Sequence, residues 1–331
     1  MLIFVILVLD TRIQSCMSSR GLTTGSPHRH LRRRTPARLW RGSASGRKCG
    51  MTILIAYHNV ISIVWEYEEF CMKRQLLEDI YICFNQRDLV HPDPLEFLYN
   101  YDDIKDREIV GLIASSLAYG RIQQILKSVS IVLNKINPSP YSFLMSTKEA
   151  SIKKQFAGFK HRFTTDKDLL DLLLQIKHII TEHGSIKEAF LSNLDKHKTT
   201  PTTILKTLYD VLSTKTELKL IPDPEKGSAC KRLNLFLRWM VRKDNVDPGG
   251  WDQISASKLI IPLDTHMFKI ARCFGFTKRN QANLNTAIEI TEAFAKISPD
   301  DPVKYDFSLT RFGIRDDMCL SDLKKRVNIL K

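Results

Sequence analysis

Residues 227–242 read GSACKRLNLFLRWMVR and residues 261–272 read IPLDTHMFKIAR, with a turn-rich connection between them. Both blocks carry the apolar period of an amphipathic helix. On a wheel of about 100° per residue, Leu233, Phe236, Leu237, Met240 and Val241 make one face. Lys231, Asn234, Arg238 and Arg242 make a polar stripe on the other. Three cations in such a stripe can follow a phosphate backbone, and a solvated face has the same appearance. Ser228 is the expected cap of a helix over 229–243, and Asp264 or Thr265 caps a helix that ends at Gly275.

Working outward, nearly every segment after Met72 reads helical. The amphipathic run 73–84 comes first. Asp93 caps a short helix with Pro94 at its first position, and Asp106 is the expected cap for 107–119. The small residues Gly111, Ala114, Ser115, Ser116 and Ala118 allow close helix approach there. Further helices are expected over 123–136, 142–145, 148–156, 165–182, 185–194, 202–212 and 283–297. A last one runs from Asp301-Pro302 to Phe312, with Gly313 as its stop. Strand-like alternation is nearly absent, so the fold class is all-α.

The chain has 331 residues, with 50 basic and 36 acidic side chains and a net charge of +14. That excess favours a polyanionic partner over acidic small molecules. Residues 1–71 hold ten of the basic and four of the acidic residues, and read as an N-terminal basic extension outside the fold, leaving 72–331 as the helical domain. The nine apolar residues at the start are too short for a membrane span. Seven cysteines without a CxxC pair indicate neither a disulfide framework nor a zinc site, and fit a reducing, cytoplasmic setting.

Two residues stand out chemically. Lys231 lies in the first turn of its helix beside Arg232, where the helix dipole and a neighbouring cation disfavour a protonated amine. A lysine nucleophile must react as the free amine. Asp264 reads first as an N-cap, but Thr265 could cap alone and leave the carboxylate facing a cleft. His266 reads as a packing or hydrogen-bonding residue.

The block from Pro262 to His266 resembles the Val-Asp-Thr-His segment of the helix-hairpin-helix DNA glycosylase superfamily, which includes endonuclease three and the 8-oxoguanine glycosylases. Together with Cys230 to Arg242 and Asp301 to Phe307, it resembles an uncharacterised bacterial family related to that superfamily, over residues 72–327. The resemblance implies two helical subdomains with a cleft between them, and base excision with abasic-site lyase activity on damaged double-stranded DNA, with an oxidised purine as one candidate base. It implies a nucleoid-associated protein with Lys231 as nucleophile, Asp264 assisting, and no cofactor or metal. Tyr119 and Arg121 fall in the turn that enters the DNA stack. Arg238, Arg242, His266, Lys269 and Arg272 become candidates for DNA contact. Lys231 and Asp264 are 33 residues apart, a spacing similar to the archaeal-type 8-oxoguanine branch.

The chain departs from the superfamily in its hairpin. The usual Gly-Val-Gly is replaced by Ile221 to Gly227, with two prolines and two acids. This weakens an amide nest for phosphate. The four-cysteine iron-sulfur cluster of some members cannot form, because only Cys319 follows Cys273. The alternative reading is a catalytically inactive helical nucleic-acid-binding protein on the same scaffold.

Overall fold

The computed structural model describes residue 65 and residues 67–329, apart from 196, 198, 216, 217, 316 and 317. The expected extension over 1–71 lies almost wholly outside the described residues. A helix over 67–84 (α1) crosses Met72 without a break. Among the described residues the fold is helical with one small hairpin, in keeping with the all-α expectation. After α1 come α2 (Ile104–Ser116), α3 (Ile122–Ile136), α4 (Pro140–Ser146) and α5 (Glu149–Phe156). Strands β1 (Lys160–His161) and β2 (Thr164–Thr165) then pair antiparallel. The chain continues with α6 (Asp166–His183), α7 (Ile186–Asn193), α8 (Pro201–Leu212) and α9 (Lys231–Val241), followed by α10 (Thr265–Phe274), α11 (Leu284–Ile297), α12 (Asp306–Ile314) and α13 (Leu320–Ile329). Among the described residues no helix is long and apolar enough to cross a membrane.

The centre is the pair α2 and α9. Every residue from Glu108 to Ala118 is buried, and so is α9 from Phe236 to Val241. A Cβ placed on Gly111 would sit 3.4 Å from Met240 Sδ and 3.5 Å from Phe236 Cδ2, so the small residue at this position sets how closely the two helices approach. Capping differs from expectation at several helix ends. Asp103, not Asp106, caps α2; the Asp106 carboxylate instead accepts from Tyr141 N and Ser139 Oγ, both at 2.8 Å. The helix predicted from Asp301 begins at Asp306, after a run of turns. Gly313 lies inside α12 rather than ending it: a Cβ there would sit 2.1 Å from His266 Nδ1, so the histidine ring fills the space that the glycine leaves.

A carboxylate locks this core. Glu108, fully buried in α2, accepts from Ile186 N at 2.6 Å and Lys187 N at 3.1 Å, which caps the start of α7. It also accepts from Trp251 Nε1 at 3.3 Å. Burial pushes its carboxyl from 4.5 up to about 7, against the pull of those hydrogen bonds. The folded state therefore binds a proton that the unfolded chain gives up earlier. Glu108 contributes its full stabilisation below the unfolded value, and that contribution is lost as pH rises through about 7. Wild type should lose about 3 kcal/mol relative to Glu108→Gln between about pH 4 and about pH 8, as read by urea denaturation.

Candidate functional site

The site begins where α2 ends and α9 starts. Lys231 is the first residue of α9 and its side chain is 35% exposed. The expected Ser228 cap is absent: the residue before the helix is Cys230, left-handed at φ 47°, with no side-chain cap. A lysine is disfavoured at such an end. Here the free carbonyls at the end of α2 supply the missing partners. Lys231 Nζ donates to Ala118 O at 3.5 Å, and Arg232 Nη1 donates to Ser116 O at 3.3 Å. Burial lowers the proton affinity of the Arg232 guanidinium, which also lies 5.6 Å from the Tyr119 ring centre.

Asp264 comes to the same place from the start of α10. Its Oδ1 accepts from His266 N at 2.9 Å and Met267 N at 2.8 Å, so it is the N-cap. Its Oδ2 lies 3.6 Å from Lys231 Nζ. One carboxylate thus does both jobs that the sequence divided between Asp264 and Thr265: one oxygen is held by helix amides and the other faces the amine. The buried run Leu259–Leu263 delivers it, pinned by Ile261 N to Thr291 Oγ1 at 3.0 Å.

Arg238 and Arg242 do not form an exposed cationic stripe. Asn234, Arg238 and Arg242 are all buried, and α9 has no solvated face beyond its first turn. Arg238 Nε pairs with Asp247 at 3.2 Å and its Nη1 pairs with Asp306. Arg242 takes Asp301 at 2.9 Å and Asp244 at 2.8 Å, and also pairs with Asp247. The expectation that these two arginines meet DNA phosphates is therefore corrected: their charge is used up by four internal carboxylates. Burial raises Asp306 to about 6, partly offset by Arg238, with the charges of Asp264 and Asp247 adding to the rise. Asp306 Oδ1, Arg238 Nη2 and Asn234 Oδ1 are buried without a hydrogen bond.

The remaining candidates separate by exposure. Lys269 and Arg272 are exposed on α10, and Arg121 is exposed just before α3. His266 packs against Gly313. Tyr119 is half-buried, and its hydroxyl is taken by His161 O at 2.9 Å and Thr164 Oγ1 at 2.6 Å. It is a strut rather than a free side chain. The altered segment before α9 is closed on itself: Glu225 N donates to Asp223 Oδ1, Lys226 N to Asp223 O and Gly227 N to Pro224 O, at 2.9, 3.2 and 3.2 Å. No amide of those three is left to hold an anion.

Two cavities lie elsewhere. One, of about 520 Å³, is lined by Phe97, Tyr101, Leu133 and Asn137, and the other by His178, His183 and Thr214. The chemistry at Lys231 and Asp264 outweighs their size as the guide to a site, since neither cavity brings a nucleophile to a charged partner. Asp306 and the hairpin Lys160–Thr165 are not evident from the sequence as parts of this neighbourhood. Only the hairpin has a local signal, a dense run of basic residues around one phenylalanine.

The pattern of one protein family, described as "Protein of unknown function (DUF2400)", matches residues 93–315, which include both α9 and α10. No curated protein and no solved structure matches the chain.

Proposed function

Since the chain belongs to the DUF2400 family, whose description assigns no activity, function has to be argued from the site, and we propose a DNA base-excision glycosylase with abasic-site lyase activity. The observation that carries this reading is the 3.6 Å separation of Lys231 Nζ and Asp264 Oδ2, two residues brought together from separate helix starts. A target nucleotide leaves the duplex stack, because its C1′ cannot be reached otherwise, and enters a cleft between two helical subdomains. Asp264 Oδ2 faces the sugar and stabilises positive charge developing at C1′. The Lys231 amine forms a bond to C1′ as the glycosidic bond breaks, and the base leaves with that electron pair and takes up a proton. The adduct then loses a proton from nitrogen and opens the sugar ring to a Schiff base. Loss of a C2′ proton breaks the C3′–O bond and nicks the strand. Lys269, Arg272 and Arg121 are the exposed cations available for phosphate contact.

Borohydride capture on DNA containing an abasic site tests the proposal. Wild type should give a covalent protein–DNA adduct and Lys231→Ala should give none. Absence of an adduct on abasic and 8-oxoguanine substrates, with DNA binding intact, would remove the enzyme reading. One observation favours the alternative of a binding protein without catalysis: the amides over 225–227 are internally satisfied and offer no phosphate nest.

A further inference from the structure

The hairpin Lys160–Thr165 carries two features that its folding does not require. Its register, Lys160 opposite Thr165 and His161 opposite Thr164, leaves Arg162-Phe163 as a two-residue turn. Arg162 adopts φ 51°, in the left-handed region where hairpins of this length ordinarily use glycine or asparagine. Phe163 is 74% exposed. Arg162 Cζ lies 5.5 Å from the Phe163 ring centre, yet the ring stays mostly exposed beside a left-handed arginine, and that pair of costs points to a contact with something outside the chain.

The tip is also braced. Buried His161 meets Ser128 Oγ at 2.9 Å through Nδ1 and Tyr119 O at 3.2 Å through Nε2. Tyr119 in turn holds the hairpin through its hydroxyl. Lys219 Nζ donates to Phe163 O at 3.1 Å. The phenylalanine therefore stands on a rigid base. Gly120, at φ 102°, leaves room for the Arg162 side chain, which a Cβ would meet at 2.5 Å. The surroundings are cationic: residues 153–167 hold five basic side chains and one acidic one. All five are exposed, while the acid, Asp166, accepts from Gly158 N at 2.8 Å.

One aromatic ring among cations offers too little apolar surface for a protein interface. It suits a nucleobase, which stacks on an aromatic face while the flanking cations meet phosphates. A single ring on a narrow tip fits one vacancy in a stack better than a run of unpaired bases, which needs several platforms. Through Tyr119, whose ring Arg162 and Arg232 approach to 5.9 and 5.6 Å, the tip connects to the neighbourhood of Lys231. We infer that Phe163 is a base-stacking contact that fills an interruption in a DNA duplex, with Arg162 and Lys160 meeting the flanking phosphates. The choice of an interrupted duplex as ligand rests on the base-excision reading of Lys231 and Asp264.

The test is fluorescence anisotropy of the full chain on a duplex with one tetrahydrofuran abasic analogue and on the same duplex intact. That analogue cannot form a Schiff base, so binding is read apart from lyase chemistry. Wild type should prefer the interrupted duplex; Phe163→Ala should lose roughly tenfold of that preference, and Phe163→Trp should keep it. Arg162→Gly should raise Tm and weaken binding, two changes that a purely structural role would not pair. A wild type without preference, or Phe163→Ala with the preference intact, overturns the inference. Preference that depends on Phe163, without borohydride capture by wild type, supports the stacking contact and removes the lyase reading. Capture with an unchanged Phe163→Ala preference does the reverse.

Discussion

Asp264→Asn should lower the rate of borohydride-trappable adduct formation on DNA containing 8-oxoguanine by about 10²–10³-fold with little change in stability. The two oxygens of this carboxylate have separate duties. Oδ1 caps α10 through the amides of His266 and Met267, while Oδ2 faces Lys231. Asparagine is itself a preferred N-cap and can keep its carbonyl oxygen on those amides, so the helix start survives within about 1 kcal/mol. What it cannot supply is negative charge beside the amine and the sugar. Asp264→Ala loses the cap as well and should lower both rate and stability. A parallel urea titration of the two variants separates the effects. If Asp264→Asn keeps the wild-type rate, the carboxylate is only a cap and the proposed role for it fails.

The second large effect lies away from the site. Arg238→Ala should destabilise the protein by about 3–5 kcal/mol, read as a lowered midpoint in urea. The guanidinium is 3% exposed and pairs with Asp247 and Asp306, which are 0% and 2% exposed. Removing it leaves buried Asp306 without its paired cation and Asp247 with Arg242 alone. Asp306 already sits at about 6 with Arg238 in place. Without the arginine it is pushed further up, so protonation relieves the variant and the deficit should be smaller at about pH 5 than at about pH 8. Arg238→Ala combined with Asp306→Asn should recover part of the loss. A DNA-contacting surface arginine would behave differently: stability would be nearly unchanged and salt-dependent binding would fall.

That contrast shows what is legible in the sequence and what is not. Helix starts announce themselves locally, so Lys231 and Asp264 can be placed at two of them from their neighbouring residues alone. Their meeting depends on the resemblance, since nothing in either block names the other. The fate of Arg238 and Arg242 cannot be read from a wheel, which shows the faces of one helix and nothing of what packs on them. Their partners lie at 244, 247, 301 and 306, in turns and at a helix start whose positions depend on the whole fold. The hairpin escapes a sequence reading for a different reason. Strands of two residues have no alternation to detect, and its turn holds Arg162 and Phe163 instead of glycine or asparagine. Gly313 is legible as a special position, but its purpose, room for the His266 ring, belongs to α10 and α12 together.

The ion pairs of α9 have one mechanical consequence. Arg238 and Arg242 fasten the later half of this 11-residue helix to four carboxylates, while Lys231 occupies its opposite end. The helix is anchored at both ends: the α2 carbonyls take Lys231 and Arg232 at its start, and the carboxylates hold its other end. Asp306 is part of the clamp and also feels the charge of Asp264. The aim of the amine is thus set from two sides, by the end of α2 beside it and by a clamp roughly two turns behind it whose residues touch no ligand.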